Sequence, residues 1–184
     1  HRAVWRRDPP SPTPPQAAAR LVGELADGVE HAHSRGVLHR DIKPSNILLE
    51  PWEAGDQRGG EAIPYRARLT DFGLAKVTTG VDLTASGSVL GTVNYMAPEQ
   101  ARGKVREIGP ASDVYALGAV LYELLTGQTP LQGENHPDTL RRIVSDEPLP
   151  PRKLRRAIPR DLETICLKCL AKEPRQRYPS AREL

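Results

Sequence analysis

The chain has 184 residues, 38% hydrophobic and only 4% aromatic, enough for one domain whose core rests on Leu, Val, Ile and Ala. Its formal charge of +3 comes from 26 basic and 23 acidic residues interleaved along the whole length, which describes a solvated surface rather than a nucleic-acid-binding stripe. Two cysteines make no disulfide framework and point to a reducing compartment; no signal peptide is recognisable, and no apolar run approaches the roughly 20 residues of a membrane span.

Residues 1–13 carry Trp5, several arginines and several prolines without any period, the pattern of a linker or frayed end. The domain is expected over 14–184, and both ends read as cut, with His1 first and Leu184 last. Thr13-Pro14-Pro15-Gln16 has the spacing of a capping box, with proline suited to a first helical turn. Leu21, Val22, Leu25, Val29 and Ala32 then repeat at helical spacing, and Gly36 is the expected stop.

Val37-Leu38 runs into the polar loop His39–Asn46, followed by two short strand patterns, Ile47-Leu48-Leu49 and Ala67-Arg68-Leu69-Thr70, read as a hairpin. The Gly- and charge-rich stretch between them, centred on 51–64, is long for a hairpin connection and reads as a surface insertion. Residues 74–110 have no sustained period and are predicted to be irregular. Helices are expected at 113–126, closed by Gly127, at about 136–145, and at 159–171.

The chemistry concentrates in the loop and the hairpin. His39-Arg40-Asp41-Ile42-Lys43-Pro44-Ser45-Asn46 places a carboxylate, an ammonium and an amide in one tight loop, and Asp71-Phe72-Gly73 directly follows a strand. If the two strands pair, Asp71 returns beside Asn46. An Asp and an Asn converging on one point are oxygen ligands for a hard cation such as Mg²⁺. A second Asp can take a hydroxyl proton, and a Lys can neutralise a moving phosphoryl group. Phosphoryl transfer needs those parts, because its catalysis is mainly positioning and electrostatics.

On these residues the chain resembles the protein kinase family. His39, Arg40, Asp41 and Asn46 meet the H-R-D-x-x-x-x-N pattern; Asp71, Phe72 and Gly73 meet D-F-G; Ala97, Pro98 and Glu99 meet A-P-E. The resemblance covers roughly 14–184 and implies a protein kinase-like α+β fold: the mostly α-helical C-terminal lobe with a short β-hairpin at the catalytic cleft. It further implies ATP and Mg²⁺ as cofactors and protein Ser/Thr hydroxyls as acceptors. Asp41 matches the base, Asn46 and Asp71 the metal ligands, and Lys43 the lysine on the γ-phosphate that marks the Ser/Thr class. Thr92 matches the threonine beside the catalytic Asp, and Leu48 the residue beneath adenine.

Other matches are structural. His39 is expected to be a packed residue and not the base; Asp113 resembles the helix Asp that holds the catalytic-loop backbone, and Arg177 the partner of Glu99. Arg40 implies control by phosphorylation of the stretch Thr78–Ser88, which holds Thr78, Thr79, Thr84, Ser86 and Ser88. The long insertion and Asp161–Leu170 are similar to bacterial multi-domain kinases. No G-x-G-x-x-G and no V-A-I-K-like strand occur in these 184 residues. The N-terminal lobe is therefore expected to be absent and the isolated chain inactive, with the domain cytoplasmic and any membrane anchor outside this chain.

Rival readings carry less. His31, His33 and His39 lie close in sequence, but His31 and His33 are not on one helix face, and Cys166-x-x-Cys169 lies on the apolar face of a helix without a second pair, so neither is expected to bind metal. Gly59-Gly60 lacks the strand-to-helix context of a phosphate loop. Glu123 could face solvent or pair inside the core, and the sequence does not choose. A non-catalytic kinase-like module is the alternative, disfavoured because Asp41, Lys43, Asn46 and Asp71 are all present. A small-molecule phosphotransferase is disfavoured by A-P-E and the Asp113 helix.

Overall fold

The computed structural model describes residues 3–4, 12–51, 65–72 and 93–184. Helix α1 (Pro15–His33) buries Ala17, Ala18, Leu21, Val22, Leu25, Ala26 and Val29, the stripe that a 3.6-residue period demands. Its predicted capping box does not form: Pro14 is the N-cap and no side chain caps the helix. The cause is tertiary, since the Thr13 N–H donates to the Leu124 carbonyl (2.9 Å) and its own carbonyl accepts from Arg155 (2.9 Å). At the other end Gly36 adopts φ +75°, its N–H bonds the His33 carbonyl (2.9 Å), and the Val37 N–H bonds that of Ala32 (3.0 Å). That pair of bonds is a Schellman closure, which a left-handed glycine permits at no steric cost.

The hairpin forms as expected, slightly longer than its apolar core. Strands β2 (Ile47–Pro51) and β3 (Tyr65–Leu69) run antiparallel with Ile47 opposite Leu69, the register on which the site depends. A two-residue strand β1 (Ala3–Val4) lies on the other side of β2, antiparallel, with Val4 opposite Leu48. It falls inside the stretch read as an end without structure; two residues are too few to show a period. The insertion at 52–64 lies outside the described residues.

Within the stretch read as irregular, the described part contains the short helix α2 (Pro98–Ala101) and single 3₁₀ turns at Val93–Tyr95 and Val105–Glu107. Helix α3 (Pro110–Thr126) begins three residues before its predicted start and is buried on nearly every side from Ser112 to Leu125. Its polar first turn concealed the start: Pro110 occupies N1, and the Ser112 hydroxyl accepts the Gly109 N–H (3.2 Å). Gly127 ends it at φ +82°.

Helices α4 (His136–Ser145), α5 (Pro151–Leu154) and α6 (Arg160–Cys169) follow, α4 capped by Asn135 Oδ1 on the Asp138 N–H (2.9 Å). Helices α1 and α6 both pack on α3, which makes α3 the centre of the core. At its crossing with α6 a Cβ on Gly118 would lie 2.4 Å from Cys169 Cβ, so only glycine fits there. Cys166 and Cys169 are free thiols in that core; burial pushes Cys166 well up and Cys169 to about 12, which keeps both protonated and apolar. No helix among the described residues is long and apolar enough to cross a membrane.

Candidate active site

The loop from His39 to Asn46 is shaped by three groups of bonds. The buried carboxylate of Asp113, in the first turn of α3, accepts the His39 N–H on Oδ2 (2.9 Å) and the Arg40 N–H on Oδ1 (2.8 Å). His33, at the end of α1, donates Nε2–H to the same Oδ2 (2.8 Å). Three donors thus surround a carboxylate that burial would otherwise penalise. They hold Arg40 at φ +67°, a conformation non-glycine residues adopt only when their surroundings over-determine it.

His39 supplies the second group. Its Nε2 lies 3.0 Å from the Thr70 carbonyl, which can only accept, and its Nδ1 lies 3.3 Å from the Asp41 N–H, which can only donate. The proton therefore sits on Nε2 and both ring nitrogens are engaged. With its ring fully buried and tilted against Phe72 (centroids 4.6 Å apart), His39 is packing, as the sequence implied, and has no nitrogen left for base chemistry.

The third group arranges the candidate catalytic side chains themselves. Asp41 Oδ2 meets Lys43 Nζ at 2.7 Å and Asn46 Nδ2 at 3.1 Å, and the same amide donates to the Asp41 carbonyl (2.8 Å). Asn46 sits in a 3₁₀ turn (Pro44–Asn46) that leads straight into β2. Its carbonyl accepts the Thr70 N–H (2.9 Å), so the hairpin register brings Asp71 back to the loop that holds Asn46. Asp71 is exposed and left-handed at φ +63°. Leu48 is half-buried in β2, between Val4 and Arg68 on the flanking strands.

The residues present fit a hard divalent cation. Both amide protons of Asn46 are directed at Asp41, which leaves its Oδ1 as the open oxygen, and Asp71 offers an exposed carboxylate. No group of three or more His, Cys, Asp or Glu that could hold a metal ion occurs among the described residues. A cavity of about 1010 Å³ between α1 and β3 is lined by Leu25, Ala32, Leu69 and Phe72, but by none of Asp41, Lys43 and Asn46.

Around this centre the structure adds a clamp. Arg177 forks onto Glu99 with two bonds of 2.8 Å, both side chains at most 1% exposed, and donates further to the carbonyls of Ala111, Ala171 and Lys172. Ser112 adds a hydroxyl to Glu99 (2.6 Å). Burial alone would raise the Glu99 carboxyl; the hydrogen bonds from Arg177 and Ser112 and the Arg177 charge outweigh it and hold it below the usual value. Glu123 is half-buried and has no salt-bridge partner among the described residues; Tyr95 donates its hydroxyl to Oε2 at 2.5 Å.

Two contributors escaped the sequence reading, His33 and Gln100; the latter donates Nε2–H to the Arg40 carbonyl (2.9 Å) and accepts the Ala97 N–H on Oε1 (3.1 Å). Gly73, Thr78, Thr79, Thr84, Ser86, Ser88 and Thr92 lie outside the described residues.

Residues 7–184 match the protein kinase domain family. The chain is 36% identical over 174 residues to the serine/threonine-protein kinase PknB of Mycobacterium leprae, covering 94% of this chain and 26% of that protein. It is 40% identical over 173 residues to PkaA of Streptomyces coelicolor (94% and 29%) and 36% identical over 173 residues to PrkC of Bacillus subtilis (94% and 24%). The chain thus spans about a quarter of the length of these curated relatives. Among solved structures, Rad53 residues 1–466 in complex with AMP-PNP superposes with a TM-score of 0.69 at 25% identity, over 94% of this chain and 39% of that one. The fold is that of a protein kinase, and the chain belongs to the protein kinase domain family.

Proposed function

We propose that this chain is the catalytic part of a Ser/Thr protein kinase, transferring the γ-phosphate of ATP to Ser and Thr hydroxyls of protein substrates. The observation that carries it is the Asp41–Lys43–Asn46 cluster, held on a loop whose backbone is tied to Asp113. Asp41 Oδ2 is occupied by Lys43 and Asn46, and its second oxygen is left to accept the acceptor's hydroxyl proton. Lys43 reaches that carboxylate with a flexible ammonium and also offsets negative charge on the transferred group. Asn46 and Asp71 would hold Mg²⁺. When bound, the Mg²⁺–ATP pair supplies the phosphoryl group and neutralises charge on the leaving oxygens.

Arg40 supports regulation by phosphate. Its guanidinium is exposed and has no ion-pair partner among the described residues, which supports pairing with a phosphate on Thr78, Thr79, Thr84, Ser86 or Ser88. Phosphopeptide mapping of the active whole protein should find at least one of these modified; an unmodified segment would end that reading. The domain works in the cytoplasm, consistent with two buried free thiols.

The test is incubation of the whole protein with labelled ATP, a basic acceptor protein and Mg²⁺, followed by phosphoamino-acid analysis. Label on Ser and Thr that disappears with chelator is expected. Label on Tyr alone, or on no residue, would overturn the proposal.

A further inference from the structure

We infer that Gln100 is a positioning residue for phosphoryl transfer: its amide ties the A-P-E helix to the peptide group that carries Asp41. The inference rests on the catalytic reading of Asp41 given above. Gln100 is the third residue of α2, and sixty positions separate it from Arg40 in the chain.

The peptide between Arg40 and Asp41 has two handles. Its N–H reaches His39 Nδ1 at 3.3 Å, a long bond, whereas its carbonyl accepts from Gln100 Nε2 at 2.9 Å. The preceding peptide is held by Asp113, through the Arg40 N–H at 2.8 Å. Arg40, left-handed at φ +67°, is therefore gripped from α3 on its amino side and from α2 on its carboxyl side. Such a conformation persists only while both neighbours insist on it. Release of the carboxyl side lets the plane before Asp41 rotate, and the carboxylate turns with it.

Gln100 reaches from a fixed base. Glu99, its neighbour, is locked by the Arg177 fork, and Gln100 Oε1 accepts the Ala97 N–H (3.1 Å), which leaves the amide NH₂ aimed at the loop. The two ends of the one amide therefore do separate jobs: the oxygen caps α2, and the nitrogen sets the catalytic loop.

That separation defines the experiment. In the whole protein, Gln100→Glu keeps the acceptor for Ala97 but opposes the Arg40 carbonyl with another acceptor, and Gln100→Met keeps length without either bond. Hydrogen–deuterium exchange of a peptide spanning 38–46 should accelerate in both variants, while one spanning 114–125 in α3 keeps its wild-type rate. In peptide phosphorylation, kcat should fall about three- to tenfold in both, the worth of one neutral hydrogen bond, with KM for ATP unchanged. Wild-type exchange and wild-type kcat in Gln100→Glu would reduce Gln100 to a helix cap and overturn the inference. A wild-type protein that transfers no phosphate would instead sink the catalytic reading, and exchange in 38–46 would still decide whether Gln100 holds the loop.

Discussion

Replacing Arg177 with alanine removes more than one ion pair. The guanidinium makes five bonds of 2.8–3.0 Å: two to Glu99 and three to the carbonyls of Ala111, Ala171 and Lys172. It also lies over the Tyr115 ring, 5.0 Å from the centroid. In Arg177→Ala, Glu99 remains buried at 1% exposure with Ser112 as its remaining side-chain donor. Loss of one member of a buried pair costs about 3–5 kcal/mol, and for a chain of this size each kcal/mol is worth roughly 2–4 °C. The melting temperature should therefore fall by about 6–20 °C.

Arg177→Lys should recover only part of that loss, because an ammonium cannot fork onto a carboxylate and reach three carbonyls. An apolar double replacement, Glu99→Leu with Arg177→Met, should be less damaging than Arg177→Ala alone, since no charge is stranded. The pH dependence follows from the lowered Glu99 carboxyl. Its contribution is fully present above the unfolded carboxylate value of about 4.3 and fades as pH drops through the lower folded value. The gap between wild type and Arg177→Ala should narrow in that acid range. Thermal unfolding across pH measures all of this. A loss below about 1 kcal/mol for Arg177→Ala at neutral pH would mean that Glu99 is not stranded without its partner.

Other consequences are as specific. Asp113→Asn puts an NH₂ among groups that all donate, His39 N–H, Arg40 N–H and His33 Nε2, so it should destabilise by about 1–3 kcal/mol and release the loop. Chemical denaturation and peptide phosphorylation measure the two effects, and a variant with wild-type kcat would contradict the role given to Asp113. Gly118→Ala brings a methyl to 2.4 Å from Cys169 Cβ, an overpacking worth about 1–3 kcal/mol. Cys169→Gly in the same chain should relieve the clash but not the cavity and propensity costs, so a double-mutant cycle should show favourable coupling; additive losses would argue against contact.

Much of the site was legible because its signals are local. His39–Asn46 is one loop, and the two strand patterns, once paired, return Asp71 to it. The Asp113 and Arg177 partnerships were anticipated from resemblance, since nothing in periodicity links residues more than seventy positions apart. What stayed hidden had no local mark. Gln100 and His33 are ordinary helix residues until the fold sets them against the Arg40 carbonyl and the Asp113 carboxylate. Thr13 had the spacing of a cap, but tertiary bonds to Leu124 and Arg155 claimed its backbone. Glu123 could not be assigned because Tyr95, 28 positions earlier, is its partner.

Whether Asp41 is the base of a phosphoryl-transfer site is decided by comparing the whole wild-type protein with Asp41→Asn in steady-state peptide phosphorylation. Asparagine preserves the shape and removes the proton acceptor. The kcat should fall at least about 100-fold, with the melting temperature and KM for ATP little changed. Equal turnover by the two proteins would contradict that role.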